Sequence, residues 1–180
     1  MNLSATEQKF VLHWGEMGTR WGVNRTVAQI HALLFLAKEP LAAEAIAETL
    51  GVARSNVSNS LKELQSWRLV RVTHVMGDRR DHFLALQDVW EIFRVILEER
   101  KRREIDPTLT VLRECAIEGE EDKELDTDVL ARMQVVLDFL EMFSATFEDY
   151  RHMPPQTLQR FVKMGGKVAK LIGPAGKGKS

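Results

Sequence analysis

Between residues 40 and 83 the chain reads PLAAEAIAETLGVARSNVSNSLKELQSWRLVRVTHVMGDRRDHF, and no other stretch limits the fold as strongly. A tight crossing of two helices needs a small residue at the contact, a residue free to take positive φ, and an apolar anchor beyond the turn. Ala47, Gly51 and Val57 supply these in order. Helices are therefore expected over 43–50 and 54–66, with Ile46, Leu50 and Val52 filling the space between them. Residues 69–75 then alternate as a strand does, 76–80 make a turn, and 81–86 return as a second strand. Strands this short form a hairpin that must lean on helices. Pro40 ends the helix before it, and Leu41 is read as part of a short third strand. The plain alternative is a generic helical hairpin packed in a core.

The second helix decides between these readings. At about 100° per residue, Val57, Leu61 and Leu64 share the inner face, while Ser55, Asn59 and Lys62 point away, flanked by Asn56 and Ser58. A helix serving only as surface would more typically carry Glu/Lys pairs. Serine and asparagine are weaker helix formers than those alternatives, so a task other than helix stability is indicated. Their side chains donate and accept toward base edges and phosphates. Arg54 stands at the start of this helix, where phosphate is also attracted. In the hairpin tip, Arg79 and Arg80 suit a phosphate backbone or a narrow minor groove. Asp78 would be repelled by phosphate and is expected to orient Arg80 by a charge-assisted hydrogen bond. His82 either adds a phosphate contact or caps the strand.

Composition tells the same story only when read locally. Net charge is −1, which argues against a nonspecific nucleic-acid coat, but the charge is segregated. Residues 51–80 hold six Lys/Arg against two acids, and residues 114–149 hold twelve acids against two basic residues, so a basic module and an acidic segment cancel in the total. The apolar share of 44% is enough for a core without staples. The single cysteine, Cys115, cannot make an internal disulfide, which fits a cytoplasmic protein. No signal peptide and no membrane span is read. The five histidines show no metal-ligand spacing and there is no phosphate-cradling glycine loop, so neither a metal, a cofactor nor an enzyme is expected.

Either side of this stretch the pattern is helical. Residues 3–19 carry an apolar stripe of Leu3, Phe10, Trp14 and Met17, weakened by Gly15 and Gly18, and Gly22 with Asn24 marks a turn. A buried helix follows over about 26–38. Asp88 is a candidate N-cap for a helix with Val89, Trp90, Phe93, Ile96 and Leu97 on one face. Pro107 is expected to kink or restart that helix, and 119–124 reads as an acidic loop. Over 126–150, Val129, Met133, Val136, Leu140, Phe143 and Phe147 form a coiled-coil-like seam, with Leu130 and Leu137 as a second apolar edge. Pro154 and Pro155 open a last helix with Leu158, Phe161, Val162, Val168, Leu171 and Ile172 on one face. The Gly/Lys tail 173–180 is expected to be disordered.

These motifs resemble the GbsR-like branch of the MarR-type bacterial transcriptional regulators. The carriers are HWGEMGTRWGVNRTVAQIHALLFL (13–36), the helix pair (40–67), LVRVTHVMGDRRDHF (69–83), DVWEIFR (88–94) and EERKRREIDPTL (98–109). The resemblance covers about two thirds of the chain. It implies a homodimeric winged helix-turn-helix repressor or activator, with the recognition helix over 54–65 and the wing pair on Asp78 and Arg80. Some relatives answer osmolytes such as choline, for which Trp14, Trp21, Trp67 and Trp90 are candidate cage residues by chemistry alone. Two features depart from the pattern. Arg68 stands where such sequences usually have Gly, and Ala42 and Ala53 stand at helix starts often capped by Ser or Thr. Each departure costs roughly 1 kcal/mol.

The sequence thus predicts a mainly α fold with a small β-hairpin wing. Its expected divisions are a dimerisation helix (1–24), a winged helix-turn-helix (25–87), a helical dimerisation and effector region (88–172) and the tail. The expected function is sequence-specific binding of double-stranded DNA by a homodimer, as a repressor, with a small-molecule effector as an open partner. The candidate contacts are Arg54, Ser55, Asn56, Ser58, Asn59, Lys62, Asp78, Arg79, Arg80 and His82. The competing reading is a winged-helix module that binds protein and not DNA.

Overall fold

The computed structural model describes residues 2–154, 156–160, 163 and 164. It separates into two compact units, Met1–Ile96 and Leu97–Ser180. In the first, the order is α1 (Ala5–Arg20), α2 (Arg25–Leu36), β1 (Leu41–Ala42), α3 (Ala43–Leu50), α4 (Arg54–Ser66), β2 (Val70–Thr73) and β3 (His82–Ala85). Helix α5 (Val89–Arg100) begins in this unit. The fold is mainly helical with a three-stranded antiparallel sheet in the order β1-β3-β2.

Helix starts follow local chemistry. Ser4 and Glu7 form a reciprocal capping box at α1, and Asn24 accepts from the Thr26 N–H at α2. Asp88 Oδ1 accepts from the Trp90 and Glu91 N–H groups at 2.8 and 3.2 Å, as its N-cap reading required. Ala42 and Ala53 make no side-chain cap, leaving the first N–H groups of α3 and α4 open to other acceptors.

Helix ends α3 and α4 close with the same device. At α3, Gly51 takes φ 64°, and the Val52 N–H donates to Ala47 O at 3.1 Å. At α4, Arg68 takes φ 60°, its N–H donates to Gln65 O at 2.9 Å, and the Leu69 N–H donates to Leu64 O at 3.0 Å. Both are Schellman closures, and the left-handed position that glycine fills without strain in the first is held by arginine in the second.

The core of the first unit gathers Ile30, Leu33 and Leu34 of α2, Ile46 of α3, Val57, Leu61 and Leu64 of α4, and Leu69, Val70, Phe83 and Ala85 of the sheet. Trp67 is buried among them. Helix α1 adds Val11, with Leu3, Phe10 and Trp14 packed alongside. Gly18, read as a weak point, is instead a contact: a Cβ there would fall 2.5 Å from Ala28 Cβ. His31 is fully buried, and its Nε2 has no hydrogen-bond partner. Burial pushes its pKa down to about 4, so it is neutral at pH 7.

In the second unit a π turn, Lys101–Ile105, leads into α6 (Asp106–Glu121), followed by α7 (Thr127–Arg151). The expected break at Pro107 is this turn. Proline has no N–H and its ring would clash with the carbonyl four residues back, and a widened turn relieves both. The Asp106 N–H accordingly donates to Lys101 O. Lys101 Nζ lies 2.7 Å from Asp106 and 3.3 Å from Glu148 and over the Phe147 ring. The Asp106 hydrogen bond foremost raises the pKa of Lys101.

The stretch 119–124 is not all loop. Helix α6 runs through Glu121, and Gly119 is buried inside it because a Cβ would meet Leu130 Cδ1 at 2.7 Å and Leu125 Cδ2 at 2.9 Å. The core here is small: Leu109, Ala116 and Leu137, with Ile105, Leu112 and Leu140 against it. Leu137, from the second apolar edge of α7, packs inward, while Val129, Val136 and Phe143 of its seam stay exposed. Residues 156–160 are helical, with the Thr157 and Leu158 N–H groups donating to Pro154 O. Pro155, Phe161, Val162, Val168, Leu171, Ile172 and the tail 173–180 lie outside the described residues. Among the described residues, no helix is long and apolar enough to cross a membrane.

Candidate nucleic-acid interface

Burying Val57, Leu61 and Leu64 turns the opposite side of α4 outward. Arg54, Ser55, Asn56, Asn59 and Lys62 are exposed and Ser58 is half-buried. Ser60 is buried with the apolar face. The wing rises beside this helix because β2 and β3 pair from Val70↔Ala85 to Thr73↔His82 and leave 74–81 as a projecting turn. Asp78 N–H donates to Val75 O at 3.1 Å, and Gly77 takes φ 84°, which closes the tip.

Asp78 organises the wing. Its carboxylate accepts from the Arg80 backbone N–H at 3.0 Å and from Arg80 Nε at 2.9 Å, and it also pairs with Arg80 NH2. The Arg80 side-chain hydrogen bonds hold the Asp78 carboxyl well below the usual carboxylate range, and Asp78 in turn raises the Arg80 pKa. The guanidinium is therefore fixed in direction while more than half exposed. Arg79 is exposed beside it.

His82 differs from the other candidates. It is only 7% exposed, with Nδ1 3.0 Å from Arg80 O and Nε2 3.4 Å from Asp78 Oδ2. It is therefore withdrawn from the set of side chains open to a ligand and instead supports the wing from below. It sits there because its neighbours in the ladder, Ala42 and Thr73, place it on the middle strand of the sheet.

Between α4 and the wing runs an open cleft of about 320 Å³, lined among others by Glu44, Arg54, Ser58, Lys62, Arg80 and Asp81. The sequence reading missed Glu44. It stands in the first turn of α3 and pairs with the Arg54 guanidinium across the helix crossing. The ten-residue separation shows no periodicity in sequence. Only the crossing angle of α3 and α4 brings the pair together.

A second cavity, about 230 Å³, lies among α1, α2 and α5. It is lined by Phe10, Trp14, His31, Ala32, Phe35, Val89 and Ile92. Phe10 and Trp14 stack with ring centroids 5.5 Å apart. Of the four tryptophans, Trp14 is the one in this lining. Trp67 is in the core and Trp21 is half exposed.

Two packed helices, a recognition-type helix with a polar outer face and a basic wing define a winged helix-turn-helix. Residues 21–81, which span this module, match the MarR family model. Among solved structures, a transcriptional regulator is 18% identical with a TM-score of 0.59, covering 81% of this chain and 95% of its own. That likeness shows the fold. A transcriptional regulator from Thermotoga maritima is 17% identical over 82% of this chain and 92% of its own, with a TM-score of 0.38. A variant of MepR from S. aureus bound to an oligodeoxyribonucleotide is 16% identical over 78% of this chain and 92% of its own, also at 0.38. No curated protein matches the sequence.

Proposed function

We propose that the protein is a cytoplasmic, homodimeric repressor that binds a near-palindromic operator in double-stranded DNA. The observation that supports this most is the cleft just described: one wall is the polar outer face of α4 and the other is an arginine fixed in direction by Asp78. In this reading Ser55, Asn59 and Lys62 meet base edges, with Asn56 and Ser58 flanking. Arg79 and Arg80 reach phosphate or the minor groove, and Arg54 stands at the start of the helix that enters the DNA. Two copies reach half-sites about one helical turn, roughly 10 bp, apart. The open apolar side of α7 supports pairing, since Val135, Phe139 and Met142 are 68%, 59% and 61% exposed. The motifs at 13–36 and 69–83 support placement in the GbsR-like branch.

The effector in this reading is a small, mainly apolar molecule held in the cavity among α1, α2 and α5. Its walls are aromatic and aliphatic, and neutral His31 has one ring nitrogen without a partner.

Selection of duplexes from a randomised library by the purified protein tests the function. A near-palindrome is expected, with affinity falling by orders of magnitude between about 50 and 200 mM salt. Arg80→Ala should weaken all duplexes alike, whereas Asn59→Ala should mainly relax base preference. If no duplex is retained, or binding ignores salt, the winged-helix module acts on protein instead.

A further inference from the structure

Glu44 is a carboxylate where a phosphate-facing cleft would be expected to exclude one. The cleft between α4 and the wing carries Arg54, Lys62 and Arg80, and Glu44 sits among them, with its charge felt by Arg80 as well as by Arg54. Its side chain and that of Arg54 are 43% and 58% exposed, so the pair lies at the cleft surface and not in the core.

The location of Arg54 explains why it needs a partner. It is the first residue of α4, whose start has neither a side-chain cap nor an acid in its first turn. A cation there faces the positive end of the helix dipole. An untethered guanidinium at an uncapped helix start would close on any phosphate. Glu44 engages an edge of the guanidinium from the first turn of α3, and the planar fork leaves its other donors available in a fixed direction.

On the reading of the cleft as a DNA interface, we propose that Glu44 is a positioning residue. It withholds Arg54 from unspecific phosphate contact and aims it at a base edge, so it lowers affinity for arbitrary DNA and raises discrimination. Nonspecific complexes rest on phosphate contacts alone, and there Arg54 would have to exchange one carboxylate for a phosphate at little gain. In the specific complex the held fork meets the paired acceptors that guanine presents in the major groove.

The test compares the selected duplex with a scrambled duplex of equal length, over a range of salt. Glu44→Gln should raise affinity for the scrambled duplex several-fold and steepen its salt dependence by about one phosphate contact. The ratio of selected to scrambled affinity should fall roughly tenfold, the size of one lost bidentate base contact. Glu44→Asp should restore most of the ratio.

A double-mutant cycle with Arg54→Ala separates positioning from plain repulsion of phosphate by Glu44. In the Arg54→Ala background, Glu44→Gln should leave the ratio unchanged. A persistent gain in affinity there, or an unchanged ratio in the single variant with an unchanged thermal midpoint, overturns the inference. Failure of the wild-type chain to retain any duplex overturns the DNA reading itself, so the two failures are distinguishable.

Discussion

The two units use apolar side chains in opposite ways. In the first, α2, α3, α4 and the sheet close around a core that includes Ile30, Leu33, Leu34, Ile46 and Val57, all essentially without solvent contact. In the second, Leu109, Ala116 and Leu137 form the buried cluster among the described residues, while Val135, Val136, Phe139, Met142 and Phe143 of α7 face outward. A surface helix of a closed domain shows one apolar stripe. Among the described residues, helix α7 packs one edge within its own chain and leaves another exposed. The difference teaches that the first unit closes around its own core, whereas the described part of the second leaves much of its apolar surface facing solvent.

That contrast can be broken experimentally. Leu61→Ala, in the middle of the first core, should cost about 2–5 kcal/mol because the cavity it leaves is walled by a sheet and three helices. Chemical denaturation measures this, and a loss much below that range would mean the first unit is less closed than its burial implies. Charges placed on the open side of α7, as in Val136→Glu with Phe143→Glu, should leave helical content intact. In the homodimer reading they weaken self-association by about two orders of magnitude. Sedimentation over a concentration series reads this directly, and unchanged association would assign the α7 face another occupant.

A third test concerns His31. Its folded pKa of about 4 lies below the ordinary value of about 6.5. The unfolded chain therefore takes up a proton at a pH where the folded chain does not. Stability from this group is unaffected above about pH 6.5, falls as pH drops from there, and levels off below about pH 4, with a total loss of roughly 3 kcal/mol. His31→Leu should flatten that acid limb in pH-dependent melting, and an unchanged limb would locate the acid sensitivity elsewhere.

The smallest effect contrasts the two Schellman closures. Arg68→Gly should stabilise the chain by about 1 kcal/mol, since φ 60° is costly for a side chain and the closure itself is kept. Gly51→Ala should destabilise for the same reason in reverse, although nothing lies within 4 Å of the added Cβ. If Arg68→Gly lowers stability instead, the arginine side chain contributes more than its backbone strain costs.

Much of the winged helix-turn-helix was legible because its signals are local. The bounds of α3 and α4 agree with those expected from the spacing of Ala47, Gly51 and Val57, and Leu41 does pair with Phe83 in a third strand. The Asp78–Arg80 pair was legible because its members stand two positions apart and a turn holds them together. The inward turn of His82 was not, because its burial depends on strands on both sides. Gly119 misled for a similar reason. In sequence a glycine beside acids suggests a loop, but here it admits Leu125 and Leu130 against a continuing helix.

By itself, the sequence determined which helix turns a polar face outward, where α3 and α4 close, and that a basic tip follows them. Each of these depends on periodicity or on conformational preference within a few residues. Only the tertiary structure decided that Glu44 reaches Arg54, that His31 is buried with an unpartnered nitrogen beside an apolar cavity, and which edge of α7 is left open. Those depend on the angles at which elements cross. A crossing angle is set by side-chain packing between distant segments, which no short window of sequence contains.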